Sequence, residues 1–120
     1  FQAYGHPNFK GSVFSFTPRS VPGAKIPPLL NKKCYGVDLR NVSYEQIWEY
    51  GFDLSYVIDA YKNLKMGDKF FTNFFEKLVG VDYIRQDIIA GKSAREIKEK
   101  WFCDVLRFKQ QRRPYLLYEE

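Results

Sequence analysis

Between residues 33 and 40 apolar and polar side chains alternate. Tyr35, Val37 and Leu39 fall on one face, and Cys34, Gly36, Asp38 and Arg40 on the other. A period of two belongs to a half-buried strand. The alternation predicts that the Tyr35 face lies against the helices that follow. The other face, with opposite charges two residues apart, meets water or a ligand. Asp38 and Arg40 admit two readings here: a surface ion pair worth roughly 0–1 kcal/mol, or a strand end presenting charge to a cleft.

Upstream the helical period is missing. Residues 1–9 form an aromatic loop, in which Gly5 supplies backbone freedom and Pro7 pushes His6 toward an extended conformation. If that loop is extended, Gln2, Tyr4, His6 and Asn8 share one side. Residues 12–17 read as a first strand, with Phe14 and Phe16 facing one way, and Pro18 ends it. Pro22-Gly23 and Pro27-Pro28 make residues 19–32 a long surface loop.

Downstream, apolar residues recur at helical spacing. Ser43 is an N-cap for a helix reaching about Leu64, with Ile47, Leu54, Val57, Ile58, Tyr61 and Leu64 as its buried stripe. Gly51 inside it costs up to about 1 kcal/mol against Ala and marks a break or a close contact. Asp68 caps a second helix over residues 69–79, whose core face is Phe70, Phe71, Phe74, Phe75 and Leu78, and Gly80 closes it. A short helix covers residues 82–90, with Ile84 and Ile88 inside. Ser93 and Glu96 make a capping box for a last helix ending near Gln110, striped by Ala94, Ile97, Trp101, Val105 and Phe108. After Pro114, residues 115–118 (Tyr-Leu-Leu-Tyr) read as a terminal strand docking on the first two. The fold class is therefore α+β: a small, mostly antiparallel sheet from N-terminal and C-terminal strands, covered by about four helices. Strands and loops occupy residues 1–40 and helices residues 43–110.

At 120 residues the chain is expected to form one domain, able to bury roughly two thirds of its unfolded surface. It starts at Phe1-Gln2-Ala3-Tyr4 with neither an initiator Met nor a signal peptide, and so reads as a C-terminal piece of a longer protein. Eleven Phe, nine Tyr and two Trp are more aromatics than one small core can hide, so some Tyr must line a surface or groove. The net charge of +5 suits an anionic partner. Nucleic acid is not expected, because no RNP-type motif, zinc-finger spacing or long basic run is present. No apolar run approaches a membrane span. Cys34 and Cys103 lie in no Cys/His cluster, so no metal is expected; they are either two thiols or one long-range disulfide. No cofactor motif occurs, and no Gly-rich phosphate loop.

Catalysis needs more than the chain offers. A glycosidase requires two carboxyl groups across a cleft. Asp38, Asp82 and Asp87 are available, but nothing in the sequence pairs them. His6 is the only histidine, and no Ser or Cys sits in an elbow-type motif. No catalytic residue is assigned, and the chain reads as a binding or cleft-forming module.

Taken together, the opening YGHPNF, the FTP…CYGVDLR segment, IDAY, FFTNFFEKLVG, the IRQDIIAGKSAREIKEKW run and the closing YLLY make a pattern. It resembles the C-terminal domain of the bacterial exo-β-N-acetylmuramidases, formerly a domain of unknown function, and the resemblance spans essentially all 120 residues. The resemblance implies a peptidoglycan-recycling glycosidase that releases N-acetylmuramic acid from non-reducing ends of cell-wall fragments. It implies an upstream Rossmann-like catalytic domain as partner, this domain closing one side of the cleft, and a place at the bacterial cell envelope, periplasmic or secreted. Family members often carry an acidic residue after the first Phe; here Gln2 stands instead, which argues against an acid/base role there. Tyr4, His6, Arg19 and Arg40 are the substrate-binding candidates: Tyr to stack on sugar, Arg19 or Arg40 to grip the lactyl carboxylate. Two other classes stay open, a stand-alone glycan- or peptide-binding module and a structural domain that only packs on a neighbour.

Overall fold

The computed structural model describes residues 2–118 and divides the chain into two compact units, Phe1–Phe70 and Phe71–Glu120. The first holds three strands, β1 (Ala3–His6), β2 (Ser15–Phe16) and β3 (Cys34–Asp38), then helices α1 (Tyr44–Tyr50) and α2 (Ser55–Leu64). The second holds α3 (Phe75–Val79), α4 (Tyr83–Ile89) and α5 (Ala94–Arg112). The class is α+β, as the pattern predicts.

The sheet is antiparallel in the order β1-β3-β2, so the predicted strand at residues 33–40 is its centre. β1 was expected as loop. Its pairing runs Ala3↔Asp38, Tyr4↔Val37, Gly5↔Gly36 and His6↔Tyr35. Two glycines thus face each other at mid-register. A Cβ on Gly36 would stand 1.9 Å from the Tyr4 carbonyl oxygen, and one on Gly5 2.3 Å from that of Tyr35. That close approach is what Gly5 is for, in addition to loop freedom. On the β2 side the Ser12 hydroxyl donates to the Gly36 carbonyl and accepts from the Phe14 N–H.

Small residues also change which face is hidden. Cys34 is wholly buried and Gly36 is buried, while Tyr35, Val37 and Leu39 each keep part of their surface. The predicted solvent face of β3 is therefore closed at its first half, and only Asp38 and Arg40 reach water.

Gly51, at φ 60°, breaks the predicted first helix into α1 and α2. Leu54, Ile58 and Ala60 carry the packing of α2, whereas Ile47 of α1 is 54% exposed, contrary to its predicted place in the stripe. The predicted helix over residues 69–79 is likewise broken: Gly67–Phe70 is a 3-10 turn and α3 begins at Phe75. Phe71 is buried and meets Phe75 at 4.7 Å, but Phe74 and Leu78 face outward. In the second unit Ile84, Ile88 and Ile97 form the core with Phe71. Both predicted serine caps are present. The Ser43 hydroxyl accepts from the Gln46 N–H and that of Ser93 from the Glu96 N–H, each closed into a box by the reciprocal side-chain bond. α5 runs two residues past Gln110, and Val105 and Phe108 stay exposed. The predicted terminal strand is absent: Arg113–Tyr115 is a 3-10 turn and no strand occurs at residues 116–118. Pro114 lacks the amide a strand would donate, and its fixed φ suits the turn. Both cysteines are free thiols, Cys34 buried and Cys103 exposed.

Candidate functional site

The β1 register places Tyr4 and His6 on one face of the sheet, opposite Val37 and Tyr35. Tyr4 is half-buried. Its ring meets Phe9 edge-on at 6.2 Å and Tyr56 of α2 at 6.0 Å. Burial, then the nearby negative charge of Asp59, pushes its hydroxyl pKa up, so the phenol keeps its proton as a hydrogen-bond donor at neutral pH. His6 opens a tight turn in which the Phe9 N–H donates to its carbonyl at 3.1 Å. Its Nδ1 accepts from the Asn8 N–H, also at 3.1 Å, which in the neutral ring leaves the proton on Nε2. The turn is fastened to α2. Asn63 Oδ1 accepts from the Lys10 N–H, and its Nδ2 donates to the Lys10 carbonyl, both at 2.8 Å.

The two arginines are elsewhere. Arg40 lies past the end of β3, and its guanidinium is a bidentate clamp on Asp38. Nε donates to Oδ1 at 2.9 Å and Nη2 to Oδ2 at 2.6 Å. The Phe14 ring lies 6.0 Å from the guanidinium carbon. Arg40's side-chain and then its backbone hydrogen bonds hold the Asp38 pKa down to about 2. This is the surface-pair geometry, and a substrate carboxylate would have to displace Asp38 to use the same donors. Arg19 is exposed in the loop between β2 and β3 and has no carboxylate partner among the described residues. Of the four candidates, then, the register puts Tyr4 and His6 on one face, while Arg40 is paired with Asp38 and Arg19 lies in the loop between β2 and β3.

A groove that the periodicity did not foretell opens beside this face. It has a volume of about 500 Å³ and is lined by Val42, Gln46, Ile47, Tyr50, Phe52 and Tyr56, with Gly51 and Asp53. Tyr56 is shared: it lines the groove and its ring meets Tyr4. Tyr44, Ile47 and Trp48 share one face of α1 at helical spacing, which the sequence reads as a core stripe; that this face stays open is not legible from the spacing. A second concavity, about 690 Å³, lies at the far end of α5 and includes Lys109 and Arg113. Among the described residues no group of His, Cys, Asp and Glu is arranged to hold a metal ion. No helix among the described residues is long and apolar enough to cross a membrane.

A family model described as the C-terminal part of the exo-β-N-acetylmuramidase NamZ matches residues 1–118. The chain is also similar to a DUF1343 family protein from Bacteroides fragilis NCTC 9343, known from a crystal structure, at 62% sequence identity and a TM-score of 0.97. That match covers 99% of this chain and 34% of the Bacteroides one, so the chain spans about a third of that protein's length. Among curated proteins nothing matches.

Proposed function

Because the chain belongs to the family of exo-β-N-acetylmuramidase C-terminal domains, we propose that it is the auxiliary domain of a glycoside hydrolase acting on peptidoglycan fragments. The full-length enzyme releases N-acetylmuramic acid from their non-reducing ends at the cell envelope, in the periplasm or outside the cell. An upstream Rossmann-like domain supplies the catalytic groups, and this domain completes the substrate cleft. The observation that carries this is the family match over residues 1–118.

The local chemistry supports a binding role. Tyr4 offers an aromatic face and a protonated hydroxyl, and His6 offers Nε2 from a fixed turn. Sugars are held by such pairings of a ring with a few placed polar groups. Arg40 is engaged by Asp38, whereas Arg19 has no carboxylate partner among the described residues, so Arg19 is the more available of the two to meet the lactyl carboxylate.

Hydrolysis of a chromogenic N-acetylmuramic acid glycoside, by the full-length protein and by residues 1–120 side by side, tests the proposal. Turnover by the full-length protein alone is expected. Turnover by neither would remove the hydrolase, and muropeptide binding without turnover would leave a glycan-binding module in its place.

A further inference from the structure

We propose that the aromatic face of α1 is a docking surface for the part of the full-length polypeptide that this sequence does not span. It presupposes the hydrolase reading and adds to it the surface that the upstream domain covers.

α1 is seven residues long and buries none of them. Tyr44 is 72% exposed, Ile47 54%, Trp48 78% and, just past the helix, Phe52 64%. A helix this short has little stability of its own and ordinarily persists by burying an apolar stripe. Here the Ser43 box and the Gly51 break define the helix, while its apolar side chains stand in water. Tyr44 and Trp48 stack on each other, with centroids 6.0 Å apart and planes 16° apart. Contiguous apolar surface of this kind marks an interaction site, and exposed Trp and Tyr are the residue types that anchor protein interfaces.

Charge decides among the occupants. Glu45 and Glu49 alternate with the aromatics, Asp53 follows, and α1 holds no Lys, Arg or His. The chain's net charge of +5 therefore arises elsewhere. An anionic muramic-acid glycan would meet acidic side chains and no cation from α1 here. A second copy of the chain, docking the same patch on itself, would bring two acidic helices of like charge together. A polypeptide surface with an apolar centre and a Lys/Arg rim suffers neither repulsion. Such a surface has room to exist in the family, since the Bacteroides protein is mostly sequence outside the matched region.

Hydroxyl-radical footprinting of the full-length protein tests this, read at Tyr44, Trp48 and Phe52. Buried Phe71 and the urea-unfolded protein are the two references. Oxidation as slow as that of Phe71, at every protein concentration and without ligand, is expected. Oxidation near the unfolded rate overturns the proposal. Protection that grows with protein concentration assigns the face to a second copy instead, and protection that needs added muropeptide assigns it to glycan. Hydrolysis measured on the same preparation separates the two claims. Protected aromatics without turnover retain the docking surface and remove the hydrolase; turnover with exposed aromatics does the reverse. Trp48→Glu in the full-length protein gives a second readout. It should lower the melting temperature and speed proteolysis, although Trp48 packs little within its own unit, and no change in either contradicts the docking.

Discussion

At Asp38 a guanidinium and a main-chain amide converge on one carboxylate. Its folded pKa of about 2 lies below the roughly 3.9 of an unfolded Asp, so the pair stabilises the fold above pH ~4. That contribution fades as the pH falls through about 2. In a carboxylate NMR titration Asp38 should titrate near 2, and Arg40→Ala should return it most of the way to the ordinary range, since only the Arg40 amide then remains. Titration near 3.9 in the parent protein would show the clamp to be loose in solution. At Gly36 the constraint is steric. Adding one methyl group there should cost about 1–3 kcal/mol or more, because the Tyr4 carbonyl must move with its strand. Gly23→Ala, with nothing within 4 Å of the new Cβ, should stay within about 0.5 kcal/mol. Urea midpoints of the two variants compare them directly.

Among the elements, α4 and α5 meet through Asp87. This carboxylate is 6% exposed and holds Lys100 Nζ at 2.5 Å and Lys92 Nζ at 2.8 Å. Hydrogen bonds, first from Lys100 and then from Lys92, hold its pKa below the usual Asp range. Its stabilisation is therefore present above about pH 4 and lost on acidification through the lowered value. Asp87→Asn should melt earlier than the parent near neutral pH, and the gap should close as the pH falls through the lowered Asp87 pKa; equal melting at neutral pH would make the cluster decorative. What could be read from the sequence divides along the same line of local against distant causes. The Ser43 cap, the Ser93–Glu96 box and the Gly51 break depend on neighbours three or four residues away and were legible. β1 was not, because Gly5 and Pro7 look like loop and its partner β3 lies far along the chain. Residues 115–118 have the composition of a strand, but no strand of the sheet pairs with them. In the site, the shared side of Tyr4 and His6 followed from alternation, and the Asp38–Arg40 pair from their spacing. The outward aromatics of α1 could not be found that way: periodicity marks an apolar face, not what covers it.

For the whole molecule, the excess positive charge acts at a distance. If the ligand is an anionic muropeptide, its KM with the full-length enzyme should rise with ionic strength, and that of a neutral glycoside analogue should not, since the Debye length falls from roughly 10 Å at 0.1 M salt to 3 Å at 1 M. Equal salt dependence for both would remove electrostatic capture as a role of this domain. The strand order carries a last consequence, for how the chain is made. Of the sheet's three strands the first two to leave a ribosome, β1 and β2, are its edges and do not pair with each other. Both must wait for β3, so more than thirty residues of aromatic-rich chain emerge before the first native ladder can close. The sheet is thus assembled by its centre strand arriving late, and its edges spend the start of their lives without partners, the interval in which a nascent chain is most open to chaperones and to aggregation.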